Sequence, residues 1–147
     1  MRRRLLVLSG LAALLVAALV PSASAQRVSA GTLFAAMSGS EEAPDDGDSD
    51  GYGAAVVDFS RPGRICFRIQ AREIEDAVAG HIHRGARGAA GPVVVPFFEG
   101  EVPARRRCVR VARALRAEIR RFPQRFYVNV HNGDHPAGAI RGQLSRY

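Results

Sequence analysis

The chain has 147 residues, 21 basic and 14 acidic side chains and a formal net charge of +7. That is one domain's length, large enough to bury a core without depending on covalent staples. Every basic residue is arginine, and only two cysteines are present, Cys66 and Cys108.

Met1-Arg2-Arg3-Arg4 opens the chain, followed by an apolar run from Leu5 to Val20 interrupted by Ser9 and Gly10. Pro21 and Ala23-Ser24-Ala25 come next. A basic start, an apolar centre and a small-x-small site are the parts of a secretory signal peptide, so residues 1–25 are expected to be removed and 26–147 to form one mature domain. The apolar run falls short of the roughly 20 residues that span a bilayer, which argues against a retained anchor and leaves no stable membrane span after cleavage. Losing Arg2, Arg3 and Arg4 lowers the charge from +7 by three, to +4. GC-rich codon usage is the expected source of the abundance of arginine and alanine, with arginine contacts to nucleic acid or an acidic polymer as the alternative. Export argues against a nucleic-acid partner, and leaves an anionic wall polymer, polysaccharide or membrane surface as alternatives. The arginines look scattered along the chain, with Arg105-Arg106-Arg107 the one dense cluster.

Residues 31–38 are expected as the first strand, and the acidic, Pro- and Gly-bearing stretch 39–51 as a loop. Strands are expected at 52–59 and 64–71, separated by an Arg61-Pro62-Gly63 turn. In the second of these, Ile65, Phe67 and Ile69 alternate with Arg64, Cys66, Arg68 and Gln70, which places Cys66 on the polar face. Strands at 79–84 and 93–98 flank a glycine loop, with Pro96 marking the latter as an edge strand. Cys108 falls on the polar face of a strand at 106–111. In an exported chain the two cysteines read as a disulfide tying the outside of the sheet. It closes a loop of about 40 residues, worth roughly 4 kcal/mol on a chain-entropy model. A thiolate metal site lacks nearby co-ligands. Val111, Leu115, Ile119 and Phe122 recur at helical spacing, so a short helix is expected at about 112–121, ended by Pro123. Phe126, Val128 and Val130 alternate with Tyr127, Asn129 and His131. Asn132-Gly133 signals a tight turn, and a last strand at 139–145 closes the domain. The fold class expected is an all-β antiparallel sandwich of seven or eight strands with that one helix.

Three histidines carry the clearest chemical signal. His81 and His83 share one strand face by period two, with Ile82 on the other. His131 lies on the polar face of its own strand. If the strands are neighbours, the three imidazoles converge, and a histidine-only set suits copper or zinc. The alternative is that the rings donate hydrogen bonds to backbone carbonyls and hold the glycine loop in shape. Asp46, Asp48 and Asp50 match the first half of a calcium loop, but Val57 stands where the bidentate glutamate belongs. Gly85, Gly88 and Gly91 precede Pro92 and a valine run, which cannot open a helix over a phosphate. No Gly-x-Ser-x-Gly elbow is present and the thiols are expected to be oxidised, so no catalytic constellation is recognised. Arg141 and Gln143 share a face opposite Ile140 and are expected to bond near the histidine-bearing strand.

The chain resembles the CHRD (chordin) domain family over residues 31–147. The likeness rests on Ser38-Gly39 with Glu42 and Pro44, on His81-Ile82-His83-Arg84-Gly85 with Gly91-Pro92-Val93, and on Tyr127-Val128-Asn129-Val130-His131. Pro136 and the Gly138-x-Ile-Arg-Gly-Gln-Leu144 run complete it. The resemblance implies a β-rich module secreted or held outside the cytoplasm, with a binding or adhesion role toward an extracellular macromolecule and no catalytic residues to carry over. A second likeness, of fold only, is to copper–zinc superoxide dismutase, which also places a His-x-His pair on a sandwich strand. It suggests His81, His83 and His131 as a metal set.

Overall fold

The structure is a computed structural model and describes residues 31–146. The expected leader at 1–25 lies outside the described residues. Eight strands form: β1 (Thr32–Ser38), β2 (Tyr52–Asp58), β3 (Arg64–Arg72), β4 (Ala77–Arg84), β5 (Val93–Glu99), β6 (Arg107–Arg110), β7 (Phe126–Asn132) and β8 (Ile140–Gln143). The one α-helix among the described residues, α1 (Arg113–Arg121), links β6 to β7. Each expected strand is present to within about two residues, because apolar alternation fixes the interior of a strand better than its ends.

All pairings are antiparallel, in one sheet of order β5-β4-β7-β8-β1-β2-β3-β6. Phe67 of β3 nevertheless stacks on Phe97 of β5, with ring centroids 4.1 Å apart, although five strands separate them in the sheet. The sheet is therefore curled until its two halves face each other across one core, the twisted solution that hides most of an edge. The sandwich expected from sequence is present in this form, as two packed layers of one nearly closed sheet. Pro96 lies in β5, an edge strand as expected.

The inward positions are Leu33, Val57, Ile65, Phe67, Ile82, Val95, Val128, Val130 and Ile140, all buried. Burying such a side chain fully contributes about 1.5–3 kcal/mol. Helix α1 closes one end by seating Ile119, which is wholly buried, while Leu115 packs partly against the core. Its first turn holds no acidic residue and its N-cap makes no side-chain bond, so tertiary packing rather than local capping secures it.

Cys66 and Cys108 are disulfide-bonded across the β3–β6 pair, with Cα atoms 3.9 Å apart. The sequence placed both on an exposed outer face, and that expectation needs correction: Cys66 is 0% exposed. The face is right but its cover was not foreseen. Asp58 of β2 is the in-register neighbour of Cys66. Arg106, entering β6, reaches across β3 to bond both oxygens of Asp58 at 2.8 and 2.9 Å, so its side chain roofs the disulfide. Reduction, or replacing both cysteines with alanine, is expected to lower unfolding free energy by about 2–4 kcal/mol. Denaturant titration with and without reductant measures this, and an unchanged midpoint would contradict it.

Candidate metal centre

Strand β4 and strand β7 pair in a register that sets His81 opposite Asn129, His83 opposite Tyr127 and Ala79 opposite His131. Ile82, Val128 and Val130 point into the core. Period two therefore sends His81, His83, Tyr127, Asn129 and His131 to the other face, with His131 diagonal to His81. The β4–β5 ladder shifts register between Gly80 and His81 and again between Ile82 and His83. Such bulges re-aim side chains, and Pro96 opposite His81 removes a ladder donor at the same place.

This outer face is covered. Residues 85–92 turn back over it and are held by β8: Arg141 donates to Ala86 O at 2.8 Å and Ala89 O at 3.0 Å, and Gln143 donates to Gly85 O at 2.9 Å. The expected link between these side chains and the histidine strand thus runs through the loop that follows it. The Tyr127 ring stacks on His83 at 4.9 Å and lies 3.4 Å from the Arg141 guanidinium carbon. The Tyr127 hydroxyl accepts from Gly91 N–H. Every residue of β7 is consequently buried.

His83 Nδ1 lies 2.8 Å from Gly91 O and His131 Nδ1 lies 3.0 Å from Pro136 O. A carbonyl only accepts, so both Nδ1 atoms carry the proton and both Nε2 atoms present a lone pair. His81 Nδ1 is 3.1 Å from His131 Nε2 and must be the donor in that bond. His83 Nε2 is buried with no hydrogen-bond partner. The two loop-shaping bonds expected as an alternative to metal binding thus exist, yet they occupy only one nitrogen of each ring. Donation of the remote N–H to a carbonyl is also the arrangement that fixes a metal-binding imidazole.

Ligand nitrogens of the three histidines all lie within 4.8 Å of one another. Points so spaced lie at most about 2.8 Å from a common centre, against metal–nitrogen bonds of about 2.0–2.1 Å. Ring rotations that move each nitrogen by less than about 1 Å would close the set. Gly91 is indispensable to the frame, because a Cβ there would stand 1.6 Å from Arg84 O.

The electrostatics keep all three rings neutral. Burial, then His131, then His83 push His81 down from 6.5 to about 4. Burial likewise lowers His83 and His131. Neutral imidazole is the metal-binding form, so no proton must be displaced at neutral pH. Nearby, Glu42 is pushed up from 4.5 to about 7 by burial, against the opposing charge of Arg141. Its carboxylate packs where a Gly138 Cβ would be, 2.3 Å from Oε1. Glu42 Oε1, Asn129 Oδ1 and Arg141 Nη1 are buried without partners, like His83 Nε2.

Among the described residues the histidine trio is the one convergent group of three or more His, Cys, Asp or Glu side chains. Asp46, Asp48 and Asp50 are not gathered into such a group. His135 stands apart too, its backbone N–H bonded to Asn132 Oδ1 at 2.7 Å. Glu42, Tyr127 and Asn129 were not singled out from sequence as parts of the site. The alternation that places His131 outward also places Asn129 and Tyr127 there, and was the available signal.

The signs of the two titrations oppose. His81 gains its proton at about 6.5 when unfolded and about 4 when folded, so its contribution is present above 6.5 and is lost as pH falls toward 4. The burial penalty of Glu42 is absent below 4.5 and complete above about 7. NMR titration is expected to give a His81 midpoint near 4 and a Glu42 midpoint near 7. A His81 midpoint at its ordinary value would show a solvated ring and remove the basis of the neutral trio.

Residues 33–144 match the family model described as the CHRD domain. No curated protein and no solved structure matches the chain.

Proposed function

The chain belongs to the CHRD domain family, and we propose that this member is an exported, non-enzymatic module that binds a transition-metal ion through His81, His83 and His131. The observation that carries the proposal is the pair of Nδ1–H bonds to Gly91 O and Pro136 O, which leave both Nε2 lone pairs for a ligand, that of His131 directed at His81. A set of neutral imidazoles with no thiolate suits copper or zinc. His81 joins the set by changing tautomer, moving its proton from Nδ1 to Nε2 without net proton release. The bound ion would supply a Lewis-acidic point with room for a further ligand. His81 is the least buried of the three and forms the solvent side of the site.

Export is supported by the N-terminal leader pattern and by the disulfide, which persists in oxidising compartments. No helix among the described residues is long and apolar enough to cross a membrane. The proposed mature chain begins after Ala25. An extracellular macromolecule remains the expected partner for the rest of the surface.

Calorimetric titration of the mature protein with copper(II) and zinc is expected to give one equivalent of binding. The His81→Ala/His83→Ala variant, shown by circular dichroism to remain folded, is expected to lose it. Gly91→Ala should weaken binding about 10- to 100-fold by displacing the carbonyl that orients His83. Absence of binding at micromolar metal, or equal binding by the double-histidine variant, would contradict the proposal.

A further inference from the structure

Charge on this molecule is divided between the two ends of the curled sheet. Strand register brings the segments 39–51, 73–76, 99–101 and 133–139 to one end. They hold twelve of the fourteen carboxylates, all but Asp58 and Glu118. Those two are engaged, Asp58 with Arg106 and Glu118 with Arg84, and at the carboxylate-rich end Glu41 pairs with Arg87. At the opposite end, residues 110–125 contain six arginines and one carboxylate, Glu118. What looks scattered along the chain is gathered by the fold.

The gathering is specific. The turn before β3, the end of β6 and the start of α1 meet where Val111 N–H donates to Gly63 O at 3.1 Å. Arg116 locks the junction by donating to Arg64 O, Phe59 O and Arg61 O. Around it Arg61, Arg110, Arg113 and Arg120 are exposed. Arg120 stacks over Phe59, and Arg121 and Arg125 over Phe122. Stacking occupies the face of a guanidinium and leaves its edge donors directed outward, already ordered for a carboxylate or phosphate. Folding accounts for only part of the pattern. Arg120 and Arg121 complement the helix C-terminus, but Arg113 sits at the N-terminus, where a cation opposes the macrodipole.

We propose that this arginine face binds an acidic polysaccharide, a linear polymer carrying a carboxylate on successive sugar units. The reverse end of the domain, rich in carboxylates, repels the same polymer and orients the module on it. A membrane surface fits less well. Among the described residues the exposed large apolar side chains are Tyr52, Val78 and Val93, and none lies on α1, on β6 or on the turn at Arg61. The arginine face thus has nothing to insert into lipid. Single-stranded nucleic acid needs open aromatic platforms, and here Phe59 and Phe122 are covered by guanidinium groups.

Alginate serves as the probe, with neutral dextran as control, measured on the mature protein by biolayer interferometry. Binding to alginate is expected at 50 mM salt and to weaken about tenfold by 200 mM. Arg61→Ser/Arg110→Ser/Arg113→Ser should weaken it at least about tenfold. Arg68→Ser/Arg72→Ser, two exposed arginines of β3, should change it less than about twofold. Arg113→Glu alone improves the helix terminus while reversing a charge, so a loss of binding there cannot be unfolding. Failure to bind alginate, or equal loss in the two multiple variants, overturns the proposal. Tighter binding to anionic vesicles or single-stranded DNA than to alginate also overturns it. Metal binding at the histidines is unaffected by any of these outcomes.

Discussion

The antiparallel register of β4 on β7 is the constraint on which the rest of this molecule depends. It places two apolar rows in the core and, on the reverse side, brings His81 and His83 beside Asn129, Tyr127 and His131. That reverse side is not left to solvent. Residues 85–92 fold over it, and Arg141 and Gln143 hold the loop by its carbonyls. β7 is therefore buried on both faces, one lined by aliphatic groups and the other by imidazole, amide, phenol and guanidinium. Burying a polar layer costs free energy unless each group finds a partner. Here the Nδ1 atoms of His83 and His131 find one, whereas His83 Nε2 and Arg141 Nη1 do not. This buried polar layer is where function is to be sought.

Much of the fold was legible because strands that bury one face must alternate. Ile65, Phe67 and Ile69, and again Phe126, Val128 and Val130, mark their strands and inward faces, and Pro96 marks an edge. Helix α1 was legible from Val111, Leu115 and Ile119. The burial of Cys66 was not, because its cover is the long side chain of Arg106 arriving from β6 and crossing β3. Alternation gives the face of a residue and says nothing of what later crosses over it. The sequence likewise could suggest that three histidines meet only on condition that their strands are neighbours. Strand adjacency is set by the pairing of residues about 50 apart, which no local pattern encodes.

The two readings of the histidines, as metal ligands and as loop supports, turn out to concern different atoms. Each of His83 and His131 uses Nδ1 to hold a loop and turns Nε2 away from it, that of His131 accepting from His81, so loop architecture and ligand orientation are one arrangement. The same loop is pinned from the other side by Arg141, whose guanidinium also caps the Tyr127 ring that stacks on His83. A chain of contacts thus runs from β8 through Tyr127 to the candidate ligand. The charged surface obeys a separate logic. Its carboxylates and arginines are sorted to opposite ends by strand direction, and the histidine face lies between them. Membership of the CHRD family accounts for the frame.

X-ray absorption spectroscopy of the copper-loaded mature protein tests the central claim most directly. The account predicts a first shell containing about three nitrogen scatterers near 2.0 Å with the outer-shell pattern of imidazole rings, diminished in His83→Ala. A first shell of oxygens alone, or a spectrum unchanged by that substitution, would contradict it.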